Sequence, residues 1–254
     1  MGEDLEEALN DSTFWHARYI QQAGWTREAR RYIFNRCEIE RAAHLLDVGC
    51  GGGAVVEALR MDGYHNLWGI DIALNALLSA PKSFSSACAD GMALPFKDAA
   101  FDHCYCHFTL MWVRDPRRML REMRRVTRPG GWVLALAESD YGARSTFPPA
   151  LEKLADMQTR ALQRQGADTA LGAALDVLMH GCELEQVWGG EITADPRESA
   201  GLALKGDLQV LRRDLSGSME SGALDIALTQ AQKWAEMEGT RWHVPVRYAC
   251  GKVV

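Results

Sequence analysis

The 254-residue sequence predicts an α/β fold with a mostly parallel seven-stranded sheet, helices on both faces and a helical cap. Three observations carry this. From about residue 44 to 139, apolar stretches of strand character alternate with stretches of helical spacing. A glycine-rich turn, "GCGGG", joins the first of these strands to its helix, and no repeat or low-complexity linker divides the chain.

Taken in order, residues 13 to 38 read as two amphipathic helices broken near Gly24, with Thr26 as the N-cap of the second. "LLDV" is the first strand, and "AVVEALRMDG" after the turn is a helix stopped at Gly63. "NLWGIDI" is the second strand, "ALNALLSA" a helix ended by Pro81, and "SFSSACAD" the third strand. "FDHCYCHF" is the fourth, followed by an arginine-rich helix at 116 to 128, the stop signal "RPGG" and a fifth strand, "WVLALAES". "YGARSTFPPA" reads as a connection, and "ALEKLADMQTRALQRQ" and "TALGAALDVLMHGC" as helices. "LEQVWGGEIT" is a sixth strand, 197 to 239 is helical and polar, and "WHVPVRYACGKVV" is one closing strand. The expected organisation is a single Rossmann-like domain. Residues 1–40 form an N-terminal helical lid, 41–140 and 168–254 the core, and 141–167 with 197–239 helical insertions that make the cap.

Composition narrows the function. At 47% hydrophobic and 24% charged, the chain has globular proportions. Its net charge of -6 argues against a general nucleic-acid binder, which needs a basic surface to displace phosphate counterions. Arg117, Arg118, Arg121, Arg124, Arg125 and Arg128 read as a solvated face opposite Met119, Leu120, Met123 and Val126. The acidic start "MGEDLEEALN" differs from a basic leader, and no apolar run approaches the roughly 20 residues of a membrane span. A cytoplasmic protein with no membrane or nucleic-acid partner is expected, its seven cysteines reduced.

In "DVGCGGG", Asp47, Gly49, Gly51 and Gly53 alternate along a strand-to-helix turn. Glycine lets the backbone take positive φ and a ligand approach the main chain, while the helix start offers free N–H groups. Gly49, Gly51 and Ala54 also satisfy the relaxed dinucleotide pattern, and Asp71, at the end of the second strand, suits a ribose in either case. At this point an NAD-dependent oxidoreductase stays open. In "FDHCYCHF", His103, Tyr105 and His107 face one side and Cys104 and Cys106 the other, so the four ligand-type residues cannot converge on one ion. No metal is expected. His107 falls at the carboxyl end of its strand, where open α/β sheets bind ligands.

Four stretches in this order, "LLDVGCGGG", "GIDI", "ADGMALPF" and "FDHCYCHFTLMWVRDP" running into "LREMRRVTRPGGWVLA", resemble the class I S-adenosylmethionine-dependent methyltransferases of the small-molecule, methyltransferase-11-like type. The resemblance covers about residues 45 to 137. It implies S-adenosylmethionine as donor, S-adenosylhomocysteine as product and a small-molecule acceptor methylated by direct displacement. Gly49, Cys50 and Gly51 would lie along the methionine part, with Asp47 near its amino end. Asp71 and Ile72 would hold the ribose and flank the adenine, and Asp90, Gly91 and Met92 would meet the adenine edge. His107 would approach the donor and the acceptor, either as proton acceptor or by packing. Of the aromatic and histidine residues Trp15, His16, Tyr19 and Trp25, Tyr19 is the expected lid contact to the donor. A donor-binding protein without catalysis is the remaining alternative.

Overall fold

The computed structural model describes residues 2–193 and 200–254, with side chains from 13 to 193 and from 204 onward. In chain order the elements are α1 (Gly2–Trp25), α2 (Arg27–Arg36), β1 (Leu45–Val48), α3 (Ala54–Met61), β2 (Leu67–Asp71), α4 (Leu74–Ser79), β3 (Ser85–Cys88), β4 (His103–Cys106) and α5 (Pro116–Val126). There follow β5 (Trp132–Ser139), β6 (Ser145–Phe147), α6 (Pro149–Arg164), α7 (Leu171–His180), β7 (Glu185–Ile192), α8 (Ala200–Leu215), α9 (Ser221–Trp234), β8 (Arg241–His243) and β9 (Val246–Lys252). Seven strands form one sheet in the order β3-β2-β1-β4-β5-β9-β7. The pairings β3-β2, β2-β1, β1-β4 and β4-β5 are parallel, so the carboxyl ends of five strands and the loops that follow them open at one end of the sheet. The predicted fold class is the observed one.

The chain divides into two compact units. The first comprises Met1–Glu138, Leu175–Gly190 and Tyr248–Val254, and holds the sheet. Central strands covered on both faces carry mostly apolar side chains, and β1 and β4 are buried throughout, with Asp47 and His103 as their buried polar residues. Ile33 and Phe34 of α2, Val56 and Leu59 of α3, Leu45 and Tyr105 share one core cluster. The pleat turns the wholly buried Cys104 and Cys106 to the opposite face, as expected of free thiols used as small apolar groups. None of the seven cysteines is in a disulfide.

Several local expectations are corrected. α1 begins at Gly2, well before residue 13, and Thr26 makes no side-chain cap on α2. The arginine face of α5 is more than a solvated surface. Arg118 Nε donates to the Met92 carbonyl (2.9 Å), Arg125 reaches the carbonyls of Leu94 and Phe96, and Arg128 pairs with Asp102 at 2.7 Å. The Arg118 and Arg125 guanidiniums satisfy carbonyls of the 90–98 loop and so fix the loop after β3.

The second unit, Ser139–Ala174 and Glu191–Arg247, is mainly helical. Leu151 and Leu154 of α6, Leu211 and Leu215 of α8, Leu224 and Leu228 of α9, and Trp242 form its core. The connection after β5 contains β6, which pairs antiparallel with β8. The closing segment is therefore two strands rather than one. It breaks before Pro245, a residue with no N–H to give a ladder. Of the helical region expected from 197, residues 197–199 lie outside the described residues. Among the described residues no helix is long and apolar enough to cross a membrane.

Candidate active site

The parallel register gathers the candidate residues at one end of the sheet. Asp47 of β1 lies opposite Gly69 and Tyr105, and Asp71 closes β2 opposite Cys88. Beyond β1 the chain turns through Gly49, Gly51 and Gly53 with φ of 83°, 51° and 79°, the left-handed region that glycine alone takes without strain. Gly49 and Cys50 both donate to the Ile70 carbonyl (2.8 and 2.9 Å), which pins the turn to the end of β2. A Cβ at Gly49 would run into the Thr109 side chain, whereas one at Gly51 would meet open space. Gly51 is thus where main chain is left bare.

Asp71 ties this turn to β2. Its Oδ2 accepts from Gly51 N (2.7 Å) and its Oδ1 from Ala73 N (2.8 Å), leaving each oxygen a second lone pair for a ligand. Ile72 beside it is 72% exposed, an uncovered apolar surface next to the carboxylate. Asp90 turns the chain after β3 by accepting from Met92 N (2.8 Å), and Gly91 permits close approach to Val48 and Met119. Cys50 is buried against Gly69, and burial pushes its thiol well up, so it stays protonated.

Asp47 is different. It is buried, its Oδ1 has no hydrogen-bond partner, and the adjoining Tyr105 hydroxyl has none either. Burial first, and the neighbouring Asp71 charge second, push its carboxyl well above the usual range. A buried polar atom without a partner costs about 1–3 kcal/mol, so the chain retains here an acceptor that a ligand can satisfy.

His107 follows β4 on the level of the glycine turn. Its Nε2 lies 2.9 Å from Thr26 Oγ1. The Thr26 hydroxyl proton goes to the Gln22 carbonyl (2.8 Å), so the threonine oxygen accepts and His107 carries its hydrogen on Nε2. Desolvation, aided by the Arg30 charge, lowers the His107 pKa to about 3, and the ring is neutral. His103 is engaged elsewhere: its Nδ1 accepts from Trp132 N (3.0 Å), and burial lowers it to about 4. The two histidines of "FDHCYCHF" therefore have separate partners.

Two further residues, Glu138 and Arg30, escaped the sequence reading. Glu138, fully buried at the end of β5, accepts from Thr109 N (2.9 Å), Leu110 N (2.7 Å) and Met111 N (3.4 Å), and so holds the loop after His107. Burial raises its pKa to about 7 against the pull of those three bonds. Arg30 is buried behind Thr26, donating to its hydroxyl at 3.3 Å. His16 covers the turn, with its Nδ1 3.0 Å from where a Gly52 Cβ would stand. Tyr19 is 42% exposed and stacks on Trp15 at 6.0 Å, and Trp25 packs on Phe108 at 5.7 Å. Helical spacing puts His16 and Tyr19 on one face, so periodicity alone gives no choice between them.

These residues fit a nucleoside that carries a cationic tail: bare main chain at Gly51, acceptors at Asp71, an apolar platform at Ile72 and an unmatched acid at Asp47. Residues 46–135 match the family described as methyltransferase domain. Over 119 residues the chain is 34% identical to malonyl-[acyl-carrier protein] O-methyltransferase of Erwinia pyrifoliae, covering 46% of this chain and 45% of that protein. Over 115 residues it is 36% identical to demethylmenaquinone methyltransferase of Corynebacterium urealyticum, covering 45% and 47%. The chain thus spans about half the length of the curated relatives it matches. Among solved structures it superposes on phosphoethanolamine N-methyltransferase 2 of Haemonchus contortus in complex with phosphomonomethylethanolamine and S-adenosylhomocysteine. The TM-score is 0.60 at 13% identity, over 89% of this chain and 53% of that one, a likeness of fold.

Proposed function

We propose, from the match of residues 46–135 to the methyltransferase domain family, that the protein transfers a methyl group from S-adenosylmethionine to a small-molecule acceptor by direct displacement. The observation that carries the reading is the unpaired Asp47 Oδ1 beside a glycine turn left open at Gly51. The pyrophosphate of a dinucleotide would bring negative charge to that acid; the ammonium of the methyl donor brings positive charge, which favours the ionised carboxylate.

The donor supplies a methyl group already activated on sulfonium sulfur. What remains for the protein is to hold donor and acceptor in line, an alignment worth about 7–11 kcal/mol in well-oriented systems. Asp71, Ile72 and the loop at Asp90, Gly91 and Met92 fix the nucleoside, and the glycine turn receives the methionine part. His107 is set at the mouth by Thr26. A base works best with a pKa near the working pH, so a ring held near 3 orients an acceptor better than it takes its proton. Tyr19 and His16 of α1 cover the donor. The two curated relatives are named for different acceptors, and the acceptor here is assigned only to the small-molecule class.

Calorimetry checks this directly. S-adenosylhomocysteine should bind and NAD should not; the reverse, or no binding by folded protein, overturns the reading. Binding without methyl transfer to any of a panel of hydroxyl, amine, thiol and carboxylate acceptors would make the chain a donor-binding protein instead.

A further inference from the structure

The residues assigned to the donor lie at the carboxyl ends of the strands. At the amino ends, within the first unit, is a separate cavity of about 460 Å3. Ala43 before β1, His103 at the start of β4 and Trp132 at the start of β5 line it, with the connection from α2 to β1 and Gln186 of β7. Lys252 joins them because β9 ends beside the start of β5. There Gly130 N donates to the Val253 carbonyl (2.8 Å), and Val253 N donates to that of Gly131 (2.9 Å). A cavity of this size takes a small metabolite. Gln186 holds a left-handed φ of 46°, a strained position of the kind that clusters at ligand sites.

The wall has the chemistry of an anion site. His103 is 7% exposed and borders the cavity. Its Nδ1 accepts from Trp132 N (3.0 Å), and burial keeps the ring neutral, so the ring hydrogen is on Nε2. Among the described residues that Nε2 makes no hydrogen bond, and a buried donor left unmet is costly. Arg36, Arg128 and Lys252 also line the cavity. The Lys252 ammonium lies 5.5 Å over the Trp132 ring, and the Arg36 guanidinium 4.5 Å over the Trp188 ring with a bond to the Tyr32 hydroxyl (3.3 Å). Neither makes an ion pair among the described residues. Asp102, the acid that acts on His103, is already matched by Arg128 Nε (2.7 Å) and His44 N (2.6 Å). Glu38 and Glu40 stand exposed on the connection after α2, away from the buried floor of His103 and Trp132.

We propose that this cavity is a second binding site, for a small anion whose phosphate or carboxylate group is held by the Nε2 hydrogen of His103 together with Arg128 and Lys252. Donors of this kind form charge-assisted bonds to either oxyanion. The site is independent of the function proposed above. The two places lie at opposite ends of β4, whose first residue is His103 and whose last precedes His107.

Titration of histidine-labelled protein by nuclear magnetic resonance tests it, with inorganic phosphate in one arm and succinate in the other. At least one anion should shift the His103 Nε2 resonance and saturate at one equivalent; the arm that responds more strongly tells phosphate from carboxylate. Lys252→Gln should weaken that binding about tenfold, the worth of one charge-assisted hydrogen bond. Saturating S-adenosylhomocysteine should leave it unchanged. No saturable shift with either anion overturns the site, as does equal affinity in Lys252→Gln. Loss of anion binding in the presence of S-adenosylhomocysteine would place the anion at the glycine turn and overturn it too. If Lys252→Gln fails to fold by near-ultraviolet circular dichroism, the wild-type His103 shift decides alone. Failure of S-adenosylhomocysteine to bind counts against the donor reading only, and the anion site then stands or falls by the His103 shift and Lys252→Gln.

Discussion

Arg144 in the second unit and Arg30 in the first are both buried, and they are used in opposite ways. Arg144 donates to the Ala155 carbonyl (2.8 Å) and to Gln158 Oε1 (2.5 Å), and Gln158 passes a bond on to Asp214 (2.6 Å). Its guanidinium also lies 4.7 Å from the Tyr141 ring and 4.8 Å from the Trp242 ring, leaving only Nε unpaired. Arg30, by contrast, keeps two nitrogens open beside an acid that is also open. A satisfied network holds helices together, and an unsatisfied one beside a glycine turn waits for a ligand. Burial and charge alone do not separate the two cases; the inventory of partners does.

That contrast can be broken by substitution. The largest effect should come from Arg144→Met, which strands Gln158 and the Ala155 carbonyl and should lower unfolding stability by about 3 kcal/mol in urea titration. Its affinity for S-adenosylhomocysteine should not change, and a fall in affinity with stability intact would reverse the roles assigned here. Asp47→Asn should do the opposite. Removing an uncompensated buried acid should leave the urea midpoint level or raised, while S-adenosylhomocysteine affinity drops by about 2 kcal/mol, roughly thirtyfold.

Smaller effects follow from pH and act with opposite signs. His107 and His103 are held near 3 and 4 against 6.5 when unfolded, so the unfolded chain takes up protons first. Their contribution is full above pH 6.5 and is lost as pH falls toward those values, by about 1.4 kcal/mol per unit and group. Glu138 is raised from 4.5 to about 7, so its contribution is full below about pH 4.5 and is lost as pH rises through 7. Urea midpoints measured from pH 5 to 8 should therefore show a shallower acid limb in His107→Gln and no decline between pH 6.5 and 7 in Glu138→Gln. Identical profiles in all three proteins would remove the burial assigned to these groups.

Much of the site was legible because it rests on local rules. Asp47, the three glycines and Asp71 stand at strand ends that periodicity alone locates, and their parallel order follows from alternating strand and helix. Arg30 was missed although a signal existed. It shares a helix face with Ile33 and Phe34, both buried. Glu138 reads as the polar end of an apolar strand, and nothing near it in sequence announces the three N–H groups that it accepts from 27 to 29 residues away. The strand β6 is three residues long and gains its ladder only from β8, nearly a hundred positions later, so "YGARSTFPPA" by itself reads as loop.

The sequence by itself determined the order of elements, the turn that must be glycine and the acids at the strand ends, because these depend on side-chain period and on φ. Only the tertiary structure decided which polar atoms inside the protein find partners. It tied His107 to a threonine 81 positions away. It stopped Arg30 short of Asp47, since that spacing is set by a helix and a strand packed together and by no property of either stretch alone.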